Sequence, residues 1–242
     1  MTSPTRVAAA LSALAAVVLI AGCTIGPGST SPQSTSLPSS TPIADEDYDD
    51  MEGALLDDGR MFAVVTWGSS TCIPQVDTVT AEGQNVSVEL VDTDTDAVCT
   101  MDMVQRASLG GLPGGVDPTQ DITLQVTYKD ASDDVELEGA AVTGMPGEPT
   151  EYQPSAGWFD DDALVLVTWG SSGCPPVVAS VEGSGNAGTV EFTTIEGQVC
   201  TMDMAPRATI VAFADGAVVD GEFTLTLSGG NLDGTVSVPA RD

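Results

Sequence analysis

Apolar residues in most of this chain recur at every second position. Val86, Val88 and Leu90 alternate with polar residues, as do Ile122, Leu124, Val126 and Tyr128. Met61-Phe62-Ala63-Val64-Val65-Thr66-Trp67 is a β-rich run that stops at Gly-Ser-Ser turn chemistry. Further along, Leu164 to Trp169, Val190 to Thr194, Ala208 to Phe213, Phe223 to Leu227 and Val236 to Val238 behave alike. Gly183 to Gly188 and Gly229 to Gly234 supply turns between them. A period of two places alternate side chains on opposite faces of a strand, and nothing after residue 23 reads as an amphipathic helix. The pattern predicts an all-β chain.

The chain also repeats itself. Val65-Thr66-Trp67-Gly68-Ser69-Ser70-Thr71-Cys72 returns as Val167-Thr168-Trp169-Gly170-Ser171-Ser172-Gly173-Cys174. Val98-Cys99-Thr100-Met101-Asp102-Met103 returns as Val199-Cys200-Thr201-Met202-Asp203-Met204, and Arg106-Ala107 as Arg207-Ala208. A period of about 100 residues means tandem domains rather than a solenoid of short repeats. Each copy holds two cysteines, so the simplest pairing is Cys72 with Cys99 and Cys174 with Cys200. Six or seven short strands in about 90 residues suggest a small antiparallel β-sandwich of immunoglobulin-like scale. A small open barrel is the alternative. The expected organisation is domain 1 over 51–144, a proline-bearing linker over 145–158 and domain 2 over 159–242, with one disulfide in each domain.

The first residues read as a sorting signal. Arg6 precedes an apolar run from Val7 to Ile20, then come Ile20-Ala21-Gly22-Cys23. The run is too short for a comfortable span, which needs ~20 residues. Residues 24–42 are almost wholly Ser, Thr, Pro and Gly, and Asp45 to Asp50 add acid, so 23–50 is expected to be a tether without a core.

Charge narrows the partners. Of 242 residues, 36 are Asp or Glu and 6 are Lys or Arg, for a formal charge of −30, and there is no histidine. Phosphate binding rests on Lys and Arg, so nucleic acid and anionic lipid head groups are poor partners. Without histidine there is no catalytic triad and no ordinary zinc site, and Lys129 is the only lysine. The chain is expected not to be an enzyme and to need no cofactor, with a carboxylate-dependent hydrolase as the remote alternative.

Several residues are candidate sites. Trp67 and Trp169 are either exposed ligand-gripping aromatics or core residues beside the disulfides. Arg106 and Arg207 either receive an acidic ligand or pair with Asp102 and Asp203 to pin a loop. Met101 with Met103, and Met202 with Met204, could offer soft ligands to Cu(I), but no histidine assists, residues two apart on a strand share one face, and they are expected to fill a core. Asp92, Asp94 and Asp96 open like a calcium loop, but Ala97 stands where Gly is needed and Met103 where Glu is needed. They form a weak calcium candidate.

Ile20-Ala21-Gly22-Cys23 resembles the lipobox of bacterial lipoproteins, with Ile for the usual Leu. That resemblance implies cleavage before Cys23, a thioether-linked lipid on its sulfur with palmitate-like acyl chains, and anchoring at the outer face of the cell membrane. The repeated Trp-Gly-Ser-Ser-x-Cys and Cys-Thr-Met-Asp-Met-x-x-Arg signature, over about residues 60–240, resembles a module of predicted, functionally uncharacterised lipoproteins of actinobacteria. It implies an envelope location and carries no activity. The expectation is a non-enzymatic binding or structural lipoprotein that meets an envelope protein, a glycan or cations. An inhibitor or accessory subunit of an envelope enzyme is the alternative.

Overall fold

Each repeat lays down the same succession of strands. In a computed structural model, which describes residues 50–93 and 96–240, the first repeat comprises β1 (Glu52–Leu56), β2 (Met61–Gly68), β3 (Gln75–Glu82), β4 (Asn85–Val91), β5 (Val104–Gly111), β6 (Ile122–Tyr128) and β7 (Ala131–Leu137). The second comprises β8 (Ser155–Asp160), β9 (Ala163–Gly170), β10 (Val178–Ser184), β11 (Ala187–Phe192), β12 (Ala205–Ala212), β13 (Phe223–Gly229) and β14 (Gly234–Val238). The leader, Cys23 and the tether up to residue 49 lie outside the described residues, as do Asp94 and Thr95. No helix among the described residues is long and apolar enough to cross a membrane. The chain is all-β, and the two expected disulfides, Cys72–Cys99 and Cys174–Cys200, are both formed.

The sheets differ from those of an immunoglobulin-like or open-barrel domain. β1, β2 and β5 form one antiparallel sheet, and β3, β4, β6 and β7 form another. Within the second, β4 and β6 are parallel, from Asn85 opposite Thr123 to Leu90 opposite Tyr128. The second repeat copies this with β8, β9 and β12 in one sheet, β10, β11, β13 and β14 in the other, and β11 parallel to β13. The reason is the path of β5. It leaves the four-stranded sheet to pair with β2, and the chain then returns to lay β6 beside β4 in the same direction. Alternation in sequence is blind to this, because a strand alternates whichever way its neighbour runs. β3 and β10 are also poorly legible, because bulges between Val76 and Thr78 and between Val178 and Ser180 break their period.

Three apolar layers hold the sheets. Phe62 and Val64 of β2 meet Val86, Val88, Ile122, Leu124, Val126 and Leu137 in the first. Leu164 and Leu166 of β9 meet Val190, Phe192, Phe223, Leu225 and Val236 in the second. The third lies between the repeats, where Ala54, Leu56, Ala63, Val65 and Ala107 pack on Val165 and Val167, with Phe159, Trp169, Ala208 and Ile210 around them. β2 and β9 therefore bury both faces, which is why they read as continuous apolar runs and not as alternating ones. The result is a solenoid-like stack of four sheets in place of two independent sandwiches, and Glu46–Asp242 form one compact unit. The approach between repeats is close, since a Cβ on Gly157 would lie 2.1 Å from the Leu55 carbonyl oxygen.

The repeats stack head to tail. Asp57, at the end of β1 far from Cys72, donates its backbone N–H to Ser155 Oγ at 3.0 Å, and Ser155 lies opposite Val167 near the Cys174 end of β9. Conversely Glu52, opposite Val65, feels Asp160 at the far end of β8. The two disulfide ends thus point away from each other. The expected linker 145–158 is bound along its course. Gly147 N–H donates to the Leu112 carbonyl, Arg60 pairs with Glu151 at 3.5 Å, Tyr152 stacks edge-on against Trp169, and Ser155 to Trp158 already belong to β8.

Burial, with Asp160 and Asp50 nearby, raises the Glu52 carboxyl from 4.5 to about 7. The folded state binds this proton more tightly than the unfolded chain. The associated stability is fully present below about pH 4.5 and is lost as pH rises through about 7. Glu52→Gln is expected to raise the thermal midpoint at about pH 8 and to leave it unchanged at about pH 4. Equal pH profiles for the variant and the wild type would refute this account of the junction.

Candidate functional site

The repeated signature builds one structure at each end of the stack. In the first repeat the turn after β2 and the segment leading into β5 are joined by Cys72–Cys99, with Cα atoms 5.5 Å apart. Small hydroxyls fasten the two sides. Ser69 Oγ and Thr100 Oγ1 share a hydrogen bond of 2.7 Å, and Thr100 N–H donates to Thr71 Oγ1 at 3.1 Å. Asp102 accepts from Ser70 N–H at 3.3 Å. In the second repeat Ser171 and Thr201 share a 2.7 Å bond, and Asp203 accepts from Ser172 N–H at 3.2 Å and from the Thr201 hydroxyl. Hydrogen bonds from the Ser70 and Thr100 side chains hold Asp102 down at about 2, and those from Ser172 and Thr201 do the same for Asp203. Both carboxylates are therefore ionised at any physiological pH.

Arginine ties the same loop from beneath. Arg106 is 8% exposed; its Nε donates to Thr66 Oγ1 at 3.3 Å and its Nη1 to the carbonyls of Ser69, at 3.3 Å, and Cys72. Arg207 donates to the carbonyls of Cys174 at 3.1 Å and Trp169 at 3.0 Å. The anticipated pairs with Asp102 and Asp203 do not form, because each member is consumed by backbone of its own loop. Ion pairs among the described residues include Arg60–Asp58, Arg60–Glu151 and Lys129–Asp92. Each guanidinium lies over a glycine. A Cβ on Gly68 would come within 2.5 Å of Arg106 Cζ, and one on Gly170 within 2.8 Å of Arg207 Nη1. Gly68 and Gly170 are the space each guanidinium needs, which turn chemistry alone did not reveal. The available signal was a Trp-Gly pair repeated together with a scarce arginine.

The braced loops hold apolar side chains out into water. Met101 and Met202 are as exposed as in an extended chain, Val98 and Val199 are 96% and 94% exposed, and Met103 and Met204 are 57% and 61% exposed. The expectation that these methionines fill a core fails for a physical reason. They lie in the segment between strands, beyond the ends of the sheets, where no opposing layer exists. Scattered exposed apolar residues are ordinary on a protein, but the same three side chains at the same places in both repeats are a feature.

The other candidates are placed otherwise. Trp67 and Trp169 are half-buried at opposite ends and share no groove. Trp169 is engaged by Tyr152, with ring centroids 5.1 Å apart, and its Nε1–H donates to the Gln153 carbonyl at 3.0 Å. Asp92 accepts from Tyr128 Oη at 2.6 Å and from Lys129 Nζ at 2.9 Å, so it serves a cation of its own chain. Asp94 lies outside the described residues, and no group of three metal-binding side chains of the His, Cys, Asp and Glu types occurs among those described. A cleft of about 670 Å³ beside the first tip is lined by Arg106, Tyr128, Lys129 and Cys99. One of about 390 Å³ beside the second is lined by Arg207, Ile195, Cys200 and Asn231. Each tip thus stands next to a hollow at the corresponding place in its repeat.

Comparison of the chain with family models, with curated proteins and with solved structures finds no match in any of the three.

Arg106→Ala removes a charged donor from two carbonyls of the loop and the Thr66 hydroxyl of β2 and is expected to cost about 2–3 kcal/mol of stability, with Arg106→Lys recovering only part. An unchanged melting midpoint for Arg106→Ala and for Arg207→Ala would refute the bracing role.

Proposed function

We propose that the chain is a lipid-anchored, extracytoplasmic binding protein of the cell envelope, without catalysis, that bridges two protein partners through its two tips. The observation that carries the bridging is the pair of disulfide-braced loops at opposite ends of one rigid stack, each presenting Val, Met, Asp and Met in the same order to solvent. The anchoring rests on the residues at Ile20 to Cys23 and on the Ser/Thr/Pro-rich tether behind them.

The chemistry of the tip describes the partner. Met side chains are flexible and polarisable, and suit an apolar groove of irregular shape. Between them sits an ionised carboxylate, so the groove must also supply a cation or N–H donors. The formal charge of −30 favours a partner with a basic rim and disfavours nucleic acid and anionic lipid. Two equal tips on one body convert weak single contacts into stronger joint binding when both ends are engaged. Because each loop is closed by a disulfide and stands clear of the body, insertion into the cleft of an envelope enzyme as an inhibitor is the second reading.

The anchor is tested by mass spectrometry of the protein from membranes, where an N-terminal acylated Cys23 is expected and an unlipidated start elsewhere would overturn it. The bridge is tested by capture from a solubilised envelope fraction with wild type, Met101→Asp, Met202→Asp and the double variant. Each single variant is expected to retain the partner with weaker capture, and the double variant to lose it by on the order of 100-fold. A double variant that captures as well as wild type would refute the role of the tips.

A further inference from the structure

We infer that the methionine pairs of the two tips, Met101 with Met103 and Met202 with Met204, are an oxidation site at which peroxide converts thioether to sulfoxide and so switches off docking. The inference rests on the reading of the tips as docking surfaces and adds their regulation.

The argument begins with what an oxidant meets on the surface. A two-electron oxidant takes the most accessible soft nucleophile first, which in most proteins is a free thiolate. Here Cys72, Cys99, Cys174 and Cys200 are all in disulfides, and the chain has no histidine. Among the described residues the soft nucleophiles left at the surface are methionine thioethers. They divide sharply by exposure. Met51 is 9% exposed and Met61 is half-buried against the layer between the repeats. Met101, Met103, Met202 and Met204 stand in solvent, together with Met145 at 62%. Met145 lies in the connection between repeats, outside the two disulfide-closed loops. The oxidisable sulfur is therefore concentrated where the fold does not need it and where binding does.

The step balances without a cofactor. A sulfur lone pair attacks one oxygen of hydrogen peroxide, the O–O bond breaks, and the departing hydroxide takes the proton from the oxygen now bound to sulfur and leaves as water. Sulfur is oxidised from sulfide to sulfoxide, and the peroxide is reduced. The product is polar and chiral where the side chain was apolar and flexible, which opposes insertion into an apolar groove. The bracing hydrogen bonds of the loop run through Ser, Thr, Asp and Arg and involve no methionine sulfur, so the modified tip keeps its shape. Two modified sulfurs per tip and two tips per chain make the loss graded, and a sulfoxide reductase reverses it.

The test uses the full chain carrying Met145→Leu, treated with hydrogen peroxide and then mapped by peptide mass spectrometry. The expected order of oxygen uptake is Met101 and Met202 first, Met103 and Met204 next, and Met51 last, with circular dichroism unchanged. Retention on a phenyl matrix, measured on chains that also carry Cys23→Ser so that no acyl chain contributes, reads the apolar character of the tips. It is expected to fall several-fold on oxidation, to match that of a Met101→Gln/Met202→Gln variant, and to return after treatment with methionine sulfoxide reductases. If that variant, unoxidised, is retained as strongly as its parent, the tips are not the apolar docking surface and the functional reading fails. If the variant loses retention but peroxide modifies Met51 before Met101 and Met202, or the oxidised tips keep full retention, the oxidation switch alone is overturned.

Discussion

The layer of small and β-branched residues between the two three-stranded sheets governs everything else in this molecule. Ala54, Ala63, Val65 and Ala107 on one side and Val165 and Val167 on the other let the backbones approach closely, with Gly157 set against the Leu55 carbonyl. Packing at this density joins two folding units into one body. It also determines how they face each other. Because the sheets stack head to tail, the disulfide end of one repeat lies at the opposite end from that of the other. One duplicated sequence motif thereby becomes two outward-facing tips.

At each tip a division of labour is visible between groups that hold and groups that are held. The disulfide, the Ser and Thr hydroxyls and the guanidinium beneath fix the backbone of a loop that has no sheet to pair with. Arg106 does this as a nearly buried cation with carbonyl and hydroxyl partners, and the glycine beneath it is the space its plane requires. The same network makes Asp102 and Asp203 stronger acids than a free aspartate. What the network leaves unpaired is apolar: two methionines and a valine in water. Ordering a loop in advance lowers the entropy a partner must supply on binding, which is a reason to brace residues that themselves make no internal contact.

Acidity shapes the remainder. With so few cations, four among the described residues each fasten a part of the fold. Arg60 fastens the connection between repeats, Lys129 neutralises Asp92 beside Tyr128, and Arg106 and Arg207 support the tips. At the junction of the repeats, burial first and then the nearby Asp160 and Asp50 make Glu52 hold its proton to about 7.

The all-β character, the duplication and the cysteine pairing were all determined by the sequence alone. They depend on local periodicity, on self-similarity and on redox chemistry, none of which needs a third dimension. The unbroken apolar runs of β2 and β9 already carried the mark of strands covered on both faces, which a reading by alternation does not use. Only the tertiary structure decided that β4 and β6 run parallel, that the repeats share a core, that Arg106 turns to carbonyls and not to Asp102, and that Met101 and Met202 face solvent. Each of these depends on which distant segment, if any, arrives opposite a given side chain. A methionine two residues from another reads the same whether a sheet closes over it or water does.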